Sequence, residues 1–409
     1  MKHTDTLIIG GGQAGLSMSR CLTEYQIDHV ILERGRVAER WRSERWDSLR
    51  LLTPNWQSRL PHFHYSGTEP DDFMTMPGFI RHLERYAESF EAPVQTGTTV
   101  QVVERLNNRR FRIATDNGDW SANNVVVATG FCDIPRVPAF SAAMPKRIVQ
   151  VVPSEYRNPS QLPQGGVLVV GASATGLQIA EELAAAGRKV TLAVGTHIRV
   201  PRRYRGKDIL YWMDTMGAFN APADPTEERK TPPPQLVGTP ENRDLDLGGV
   251  QKKGVRLAGR ATSAQGDRVY FADDLKAKVE TADTQMMELL GKIDGFIESS
   301  GALAPAADFD SITTVNVRTA PTVLDLRTEN IRTVVWATGY ERRYPWLKVP
   351  VLDDHGEIRH EHGVTPESGL YVLGMRFQRT KGSNLVDGVG RDAEVLSKHL
   401  AERFRDKVA

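Results

Sequence analysis

The sequence predicts an α/β fold built from two Rossmann-like dinucleotide-binding domains, with the second domain inserted into the first. Two repeated patterns predict this architecture. A short apolar strand that runs into a glycine-rich turn and a helix occurs at residues 6–24 and again at residues 167–186. A buried strand that ends in Ala-Thr-Gly occurs at residues 125–130 and again at residues 334–339. Because a strand, a glycine turn and a helix in succession are typical of dinucleotide-binding sheets, the repeats predict two nucleotide sites.

The length and composition are those of a globular protein of two or three domains. The chain has 409 residues, of which 40% are hydrophobic and 25% charged, so it can bury a sizeable core. Its 52 lysines and arginines against 51 acids give a formal net charge of +1, which argues against binding to nucleic acid through bulk positive charge. No apolar run approaches the roughly 20 residues of a membrane span. We therefore expect a cytoplasmic protein that does not enter a membrane.

The first glycine turn follows a buried parallel strand. Residues 6–9 are apolar and β-branched, as such strands are. Gly10, Gly12 and Gly15 come next with the spacing G-x-G-x-x-G, and a helical pattern follows them. The first glycine permits the tight turn, the second lets a pyrophosphate approach the backbone, and the third lets the helix pack on the strand. This context makes a dinucleotide site a stronger interpretation than an unrelated glycine turn.

The residues around this turn indicate which nucleotide it binds. The next strand, residues 29–32, ends at the acid Glu33, 18 positions after Gly15. An acid at this position accepts hydrogen bonds from a ribose and repels a 2′-phosphate, so it suits the adenosine of FAD or NAD. The amides of Gln13 and Ala14 at the start of the helix are expected to face the pyrophosphate.

The second unit differs from the first at its middle glycine and after its second strand. Gly171, Ser173 and Gly176 form the turn, and the serine is small enough for a phosphate to approach and can bond to it. Ala174 and Thr175 begin the helix. The next strand ends without an acid, and five cations follow it: Arg199, Arg202, Arg203, Arg205 and Lys207. Because cations in place of an acid select a 2′-phosphate, we predict NADPH bound by Arg199, Arg202 and Arg203; a solvated basic loop is the alternative.

Two nucleotide sites, FAD first and NADPH second, imply hydride transfer from nicotinamide to flavin. The two cysteines, Cys21 and Cys132, lie far apart and form no C-x-x-C pair. This excludes a disulfide framework, a thiolate metal site and a dithiol electron acceptor. The electrons are therefore expected to go to molecular oxygen or to a diffusible acceptor. His355, His360 and His362 lack the spacing of metal ligands, so no metal site is predicted.

The order of the repeats predicts the domain limits. The second Ala-Thr-Gly is expected to return the chain to the first domain. The FAD domain would then comprise residues 1–155 and 321–409, and the NADP domain residues 156–320, with a helical and loop insertion at about residues 210–310. Within the insertion, residues 274–298 carry apolar side chains on one helical face, which predicts core packing or a contact between the subunits of a homodimer.

Several segments make the sequence similar to the class B flavin-dependent monooxygenases, which include the flavin-containing monooxygenases, N-hydroxylating enzymes and YUCCA-type plant enzymes. They are residues 10–15, 171–176, both Ala-Thr-Gly turns, and residues 39–51, 76–79 and 369–393. The resemblance implies that NADPH reduces FAD and that reduced FAD reacts with oxygen to form a C4a-(hydro)peroxyflavin. That species would transfer one oxygen atom to a nitrogen or sulfur atom of a small organic substrate.

The same resemblance implies contacts between the first domain and FAD. The residues expected to line FAD are Glu33, Arg34, Trp41, Arg42, Val100, Thr129, Gly130, Gly374, Leu385 and Val386. Val100 would lie near the adenine, and Leu385 and Val386 beside the isoalloxazine ring. Asn55 is the expected catalytic residue, in contact with the reactive oxygen adduct of the flavin. A turn-forming role after Pro54 is the alternative for Asn55.

One departure from the family pattern concerns the use of NADPH. The family signature F-x-G-x-x-x-H-x-x-x-Y/W falls on residues 146–156, where Tyr156 matches but Val152 replaces the histidine and Ile148 the glycine. In the family the histidine helps to hold the nucleotide, so its absence predicts weaker retention of NADP. Two alternatives therefore stay open: an NADPH oxidase or dehydrogenase that passes electrons to a quinone or other acceptor, and an NADP(H)-sensing regulatory flavoprotein.

Overall fold

The computed structural model describes residues 1–106, 110–224, 231–308 and 312–408. The strands are β1 (Lys2–Ile9), β2 (His29–Leu32), β3 (Val94–Gln95), β4 (Val100–Arg105), β5 (Phe111–Thr115), β6 (Trp120–Val127), β7 (Ile134–Pro135), β8 (Val149–Val151), β9 (Gly166–Val170), β10 (Val190–Ala193), β11 (Ile198–Arg199), β12 (Arg203–Tyr204), β13 (Lys207–Asp208), β14 (Pro234–Gln235), β15 (Arg256–Ala258), β16 (Ala261–Gln265), β17 (Arg268–Phe271), β18 (Val323–Asp325), β19 (Ile331–Trp336), β20 (Tyr340–Glu341) and β21 (Leu370–Val372). The α-helices are α1 (Gln13–Glu24), α2 (Glu39–Ser43), α3 (Met76–Glu88), α4 (Ala174–Ala185), α5 (Ile209–Thr215), α6 (Leu247–Lys252), α7 (Leu275–Ser300) and α8 (Val386–Val408). Short 3₁₀ helices cover Asn55–Gln57, Ala139–Ala143 and Pro159–Gln161.

The first sheet has the strand order β3-β2-β1-β6-β5-β4, and β21 also pairs with β6. β1 runs parallel to both of its neighbours, so that Leu7 is paired with Val30 on one side and with Val125 on the other. Leu7 and Val125 are fully buried, because α1, α3 and α8 cover one face and the segment after residue 344 covers the other. Burial on both faces explains why the strands read as continuous apolar runs.

The second sheet corrects the predicted domain limits. Its order is β15-β10-β9-β19-β8, and all of its pairs are parallel. β8 and β19 were predicted to belong to the first domain, with limits at residues 155 and 321, and both assignments are wrong. β19, which carries the second Ala-Thr-Gly, pairs with β9, and the chain rejoins the first sheet only at β21. An apolar strand fits either sheet equally well, so its sequence alone does not select one.

The predicted insertion at residues 210–310 is not a single unit. β15 lies within it and forms an edge strand of the second sheet beside β10, and β16 and β17 form an antiparallel sheet with β18. α6 and the first half of α7 pack in the core of the second domain, whereas α5 and the second half of α7 enclose a separate apolar cluster. Residues 225–230 and 309–310 of the predicted insertion lie outside the described residues.

The long helix α7 packs its apolar stripe inside the chain. Its buried residues are Leu275, Val279, Ala282, Met286, Leu290, Ile293 and Ile297. Of the two expectations for this face, core packing is therefore what the structure shows, and the stripe is not available to a second subunit. In the described part of the chain, no helix combines the length and the apolar character needed to cross a membrane.

Candidate functional site

The first glycine turn is shaped by two close approaches and one open position. Gly10 has φ +115°, and a Cβ there would lie 2.6 Å from the carbonyl oxygen of Ala128 in the first Ala-Thr-Gly. A Cβ on Gly15 would overlap the carbonyl oxygen of Gly10. Nothing lies within 4 Å of a Cβ on Gly12. Gly10 and Gly15 are therefore required for packing, whereas Gly12 leaves space in front of the turn.

The N-terminus of α1 faces this space. Gly12 is the N-cap residue and supplies no side-chain cap, so the amides of the first turn are left for another acceptor. The side chain of Gln13 accepts a hydrogen bond from the indole of Trp41 at 3.2 Å. Ala14 lies against Gly374, where a Cβ would approach the alanine methyl to 2.9 Å. Trp41 and Gly374, both predicted from the resemblance, thus flank the first turn of α1.

Glu33 connects the glycine turn to the loop after β2. Its carboxylate accepts hydrogen bonds from the amide of Gly11 at 2.7 Å and from the amide of Gly35 at 2.9 Å. Each carboxylate oxygen keeps lone pairs that can accept from a ribose hydroxyl. The amide of Thr98 donates to the Glu33 carbonyl at 2.9 Å. This bond brings the start of β4, with Val100, beside the same loop.

The two arginines predicted to line FAD, Arg34 and Arg42, differ in their exposure and in their hydrogen-bond partners. Arg34 is exposed and pairs with Glu44 at 3.1 Å. Arg42 pairs with Glu84 and lines a pocket of about 360 Å³, and its Nε atom is buried without a partner. Arg42 therefore has an unused hydrogen-bond donor next to Trp41 that could bind an anion. Arg34 forms an ion pair at the protein surface.

The second glycine turn repeats the geometry of the first. Gly171 has φ +108°, and a Cβ there would overlap the carbonyl oxygen of Ala337 in the second Ala-Thr-Gly. Gly176 stands against the Gly171 carbonyl as Gly15 does against Gly10. Ser173 is the N-cap of α4, and its side chain makes no cap hydrogen bond. Its hydroxyl is therefore free to meet a phosphate, beside the amides of Ala174 and Thr175 at the start of α4.

Both Ala-Thr-Gly turns end in a glycine with positive φ, +78° at Gly130 and +90° at Gly339. The short strands that follow, β7 and β20, pair with each other in antiparallel fashion, Ile134 with Glu341. Thr129 and Gly130 are half-buried beside the first turn, as a residue in contact with a bound nucleotide would be.

The basic cluster does not form the predicted 2′-phosphate site. Arg199 is buried and binds Asp246 and Asp283, each at 2.6 Å. Arg202 is fully buried, where it pairs with Asp208 and donates to the Leu52 carbonyl at 2.8 Å. The prediction for these two arginines is wrong, because acids neutralise both: two acids distant in sequence pair with Arg199, and an acid six residues away pairs with Arg202. Arg203 is exposed, donates to the Gly206 carbonyl, and lines a separate pocket.

A different cation lies at the end of β10, where a 2′-phosphate is recognised in this fold. Lys278 on α7 donates to the Thr196 hydroxyl at 3.3 Å. Thr196 is exposed, three residues past the end of β10. Sequence reasoning missed Lys278 because it is 82 residues away from Thr196, and no local pattern joins them.

A third cluster of polar atoms lies on the 3₁₀ turn Asn55–Gln57. Asn55 is 4% exposed, donates through Nδ2 to the Glu69 carbonyl at 2.8 Å, and has no partner for Oδ1. Asn55 thus begins a turn after Pro54, as the alternative for this residue predicted, and also presents a buried acceptor without a partner. Gln57 is 1% exposed, and neither atom of its amide has a partner. Gln57 was not predicted, although its place in the same turn as Asn55 was a usable signal.

This turn is linked to both domains. Arg59 binds Asp387, in the first turn of α8, and Asp214, at 2.9 Å, on α5. Leu385 directly precedes α8. Leu385 and Leu52 both pack against the edge of the apolar cluster that α5 and α7 form. The start of α8, with Val386, the turn at Asn55 and the α5 segment therefore enclose one region at the edge of the first glycine turn.

Comparisons with known proteins place the chain in a family. Residues 7–214 match the model of the pyridine nucleotide-disulphide oxidoreductase family. The chain is 33% identical over 404 residues to an uncharacterized CzcO-like oxidoreductase of Geobacillus kaustophilus, covering 97% of this chain and 98% of that protein. It is 31% identical over 419 residues to the probable indole-3-pyruvate monooxygenase YUCCA1 of Arabidopsis thaliana, covering 98% and 91%. The solved flavin-containing monooxygenase of Stenotrophomonas maltophilia superposes with a TM-score of 0.68 at 18% identity, covering 98% of this chain and 99% of that one.

The chain belongs to the pyridine nucleotide-disulphide oxidoreductase family and, within it, to the class B flavin-dependent monooxygenases. It is an oxidoreductase and a flavoprotein of two nucleotide-binding domains, and the cofactors of this class are FAD and NADP. The fold class and the resemblance predicted from the sequence are thereby confirmed.

Proposed function

We propose that this protein is an NADPH-dependent FAD monooxygenase that transfers one atom of O2 to a nitrogen or sulfur atom of a small organic substrate. The observation that carries the proposal is the duplicated glycine turn. Gly10 and Gly171 are each held against the carbonyl of an Ala-Thr-Gly, and each turn opens on an uncapped helix N-terminus. Two such turns in one chain are what transfer of a hydride from a nicotinamide to a flavin requires.

The first site fits FAD by its polar groups. The uncapped amides at Gln13 and Ala14 would hold the pyrophosphate, and the remaining lone pairs of Glu33 would accept from the ribose. Gly374 and Val386 would flank the isoalloxazine ring of FAD, which supplies the electron-transfer and oxygen chemistry when FAD is bound. The protein's own part is to bind, orient and exclude water.

The second site fits NADPH, with Lys278 and Thr196 in place of the predicted arginines. The end of β10 carries no acid, and burial holds the pKa of His197 below its ordinary value, so that its ring stays neutral. Lys278 is then the cation that a 2′-phosphate would meet there. The Ser173 hydroxyl is free for the pyrophosphate.

The two cysteines support oxygen rather than a thiol as the electron acceptor. Burial, with the nearby Glu394, raises the pKa of Cys21 to about 12, and burial also raises the pKa of Cys132. Both are therefore protonated at neutral pH, and a thiol in that state is a poor nucleophile. Neither can relay electrons as a thiolate.

The substrate region is apolar and sheltered. Leu52 and Leu385, on the first-domain side, pack against the cluster that includes Met213 and Phe219. A closed apolar region excludes water and limits the loss of hydrogen peroxide, which competes with oxygen transfer. It therefore favours a small and largely apolar substrate.

A second candidate, an NADPH oxidase that passes electrons on without oxygenating a substrate, is favoured by one observation. Val152, at the position of the family histidine, packs against the apolar cluster of the second domain, and its side chain offers no hydrogen bond to a nucleotide. Without this hydrogen bond, NADP would dissociate from the protein early in the reaction cycle.

The stoichiometry of the reaction separates the two candidates. Purified, FAD-loaded protein is given NADPH and oxygen with a panel of small amines and thioethers, and NADPH, hydrogen peroxide and oxygenated product are measured. For the monooxygenase, one substrate class lowers the yield of hydrogen peroxide per NADPH and gives product in matching amount. If every substrate gives one hydrogen peroxide per NADPH, or if an added quinone is reduced in place of oxygen, the second candidate is correct and the monooxygenase is excluded.

A further inference from the structure

Gln57 has a buried carboxamide that makes no hydrogen bond within the described part of the chain. It ends the 3₁₀ helix Asn55–Gln57, and its backbone amide donates to the Pro54 carbonyl at 3.0 Å. Its side chain is 1% exposed, and both Nε2 and Oε1 lack a partner. Among the described residues, no other buried carboxamide has both its nitrogen and its oxygen left unpaired.

Such an amide is costly for the folded chain. A buried donor or acceptor without a partner loses its hydrogen bonds to water and gains nothing in return, whereas an apolar side chain of the same shape carries no such cost. The structure around Gln57 therefore calls for a hydrogen-bonding partner that is not part of the polypeptide.

The neighbours of Gln57 indicate where that partner lies. Asn55 Oδ1 and Ser58 Oγ are also buried without partners. Arg59, the next residue, binds Asp387 at the start of α8, and Pro61 packs on Gly390 one turn further along α8. The start of α8 also meets Gly374, which touches Ala14 of the first glycine turn. The unpaired atoms thus lie close to the start of α8, which also borders the first nucleotide site.

Asn55 and Gln57 offer different chemistry. The Nδ2 atom of Asn55 is used by the Glu69 carbonyl, so Asn55 presents an acceptor alone. Gln57 presents a donor and an acceptor together. The pyrimidine edge of an isoalloxazine ring carries an N–H between two carbonyl groups, which is the complement of one carboxamide.

We propose that Gln57 binds the pyrimidine edge of FAD, donating to a ring carbonyl and accepting from the ring N–H. The proposal rests on FAD occupying the first site, as inferred above. It assigns Gln57 a role in cofactor binding and in setting the ring's electronic state, with Asn55 as the neighbouring acceptor. A hydrogen bond to a ring carbonyl stabilises the electron-rich reduced ring, so it raises the reduction potential.

The test replaces the amide without changing its size. Gln57→Met keeps the shape and removes both hydrogen bonds, and Gln178→Met is the matched control, because Gln178 is also buried but its amide donates to the Leu236 carbonyl at 2.7 Å. For Gln57→Met we expect FAD to bind about tenfold or more weakly by ultrafiltration of the full chain. The bound flavin's absorption bands should shift and its midpoint potential should fall. Gln178→Met should leave FAD affinity, bands and potential unchanged.

Melting temperatures give a readout that does not depend on turnover. FAD raises the melting temperature by binding the folded state, and this rise should be smaller for Gln57→Met, although the FAD-free variant melts no lower than the unaltered chain. A second variant, Gln57→Glu, keeps an acceptor and adds a negative charge, so it should lower the midpoint potential further. Unchanged FAD affinity, absorption bands and potential in Gln57→Met would overturn the inference and leave the proposed function standing. If the unaltered chain binds no FAD, the proposed function fails, and the inference fails with it.

Discussion

Arg59 holds Asp387 through two parallel hydrogen bonds, from Nε to Oδ1 at 2.5 Å and from Nη2 to Oδ2 at 2.8 Å. The same Nη2 donates to Asp214 on α5 at 2.9 Å. One guanidinium therefore joins the turn after Gln57, the first turn of α8 and the segment that covers the region between them. Planar two-point pairing of this kind fixes orientation as well as distance.

Removing this arginine should loosen the cover over the site. In Arg59→Met, Asp214 loses its partner while Asp387 keeps Arg391, so α8 should stay in place and α5 should move more freely. We expect the hydrogen peroxide formed per NADPH to rise by roughly twofold or more, because water then reaches the reacting region. Arg391→Met is the control, since it leaves Arg59 bound to both acids. An equal rise in both variants would mean that Arg59 does not act through α5.

The glycines of the first turn should respond differently to the same substitution. Gly12→Ala places a methyl group in open space at φ −92°, so the chain should fold with unchanged stability but bind FAD about tenfold or more weakly. Gly10→Ala meets the Ala128 carbonyl at φ +115°, and should lose about 1–3 kcal/mol or more of stability. Urea unfolding and FAD titration measure the two effects. Full FAD affinity in a folded Gly12→Ala would place the pyrophosphate elsewhere.

Preference for NADPH over NADH should depend on Lys278. In Lys278→Met we expect the ratio of kcat/KM for NADPH to that for NADH to fall about tenfold, mainly through KM for NADPH, because one charge-assisted contact to the 2′-phosphate is lost. Lys276 is the matched control: it is two residues away on the same helix, its side chain is 75% exposed, and it pairs loosely with Glu280. If Lys276→Met lowers this ratio as much, the preference for NADPH comes from the overall positive charge of the helix and not from recognition of the 2′-phosphate beside Thr196.

The sequence predicted the glycine turns well and the basic cluster poorly, for a physical reason. Gly10 and Gly171 are required by backbone geometry within a few residues, and the strand, turn and helix around them carry that information locally. The partners of Arg199 are Asp246 and Asp283, far along the chain. From the sequence alone, a run of arginines predicts either a solvated loop or a phosphate site, because the acids that pair with Arg199 come close to it only in the folded chain. The sheet to which β19 belongs is a long-range property of the same kind.

Arg202 should consequently behave as a structural residue. Its side chain is fully buried, pairs with Asp208, and stacks 4.6 Å from the ring centroid of Phe73. Arg202→Met would leave Asp208 buried without its cation, and we expect a loss of about 3–5 kcal/mol of stability by urea unfolding. In the folded fraction the KM values for NADPH and NADH should stay in the same ratio. Arg203→Met, at an exposed position, should change stability by less than about 0.5 kcal/mol. A selective rise in KM for NADPH in Arg202→Met would reinstate the phosphate-binding role.

Asp392 on α8 should make the protein less stable as pH rises. Its side chain is 1% exposed with Oδ2 unpaired, and burial raises its pKa to about 6, against the opposing effects of Ser383, Arg379, Arg391 and His362. The folded state therefore binds this proton more tightly than the unfolded state, so the favourable contribution is complete below about pH 4 and is lost as pH rises towards 6.

Replacing this acid isolates the effect. The difference in unfolding free energy between Asp392→Asn and the unaltered chain should grow by about 2 kcal/mol in favour of the variant between pH 4 and pH 7. Urea unfolding at several pH values measures this difference, and Glu280→Gln, on the exposed face of α7, serves as the control for replacing an acid by an amide. The sign is the decisive point. An acid whose ion pair with Arg379 dominated over burial would have a lowered pKa, and its replacement would become more harmful as pH rises through 4. The 3.8 Å separation between the Arg379 Nε and the carboxylate is too long for a hydrogen bond, which is why burial prevails at Asp392.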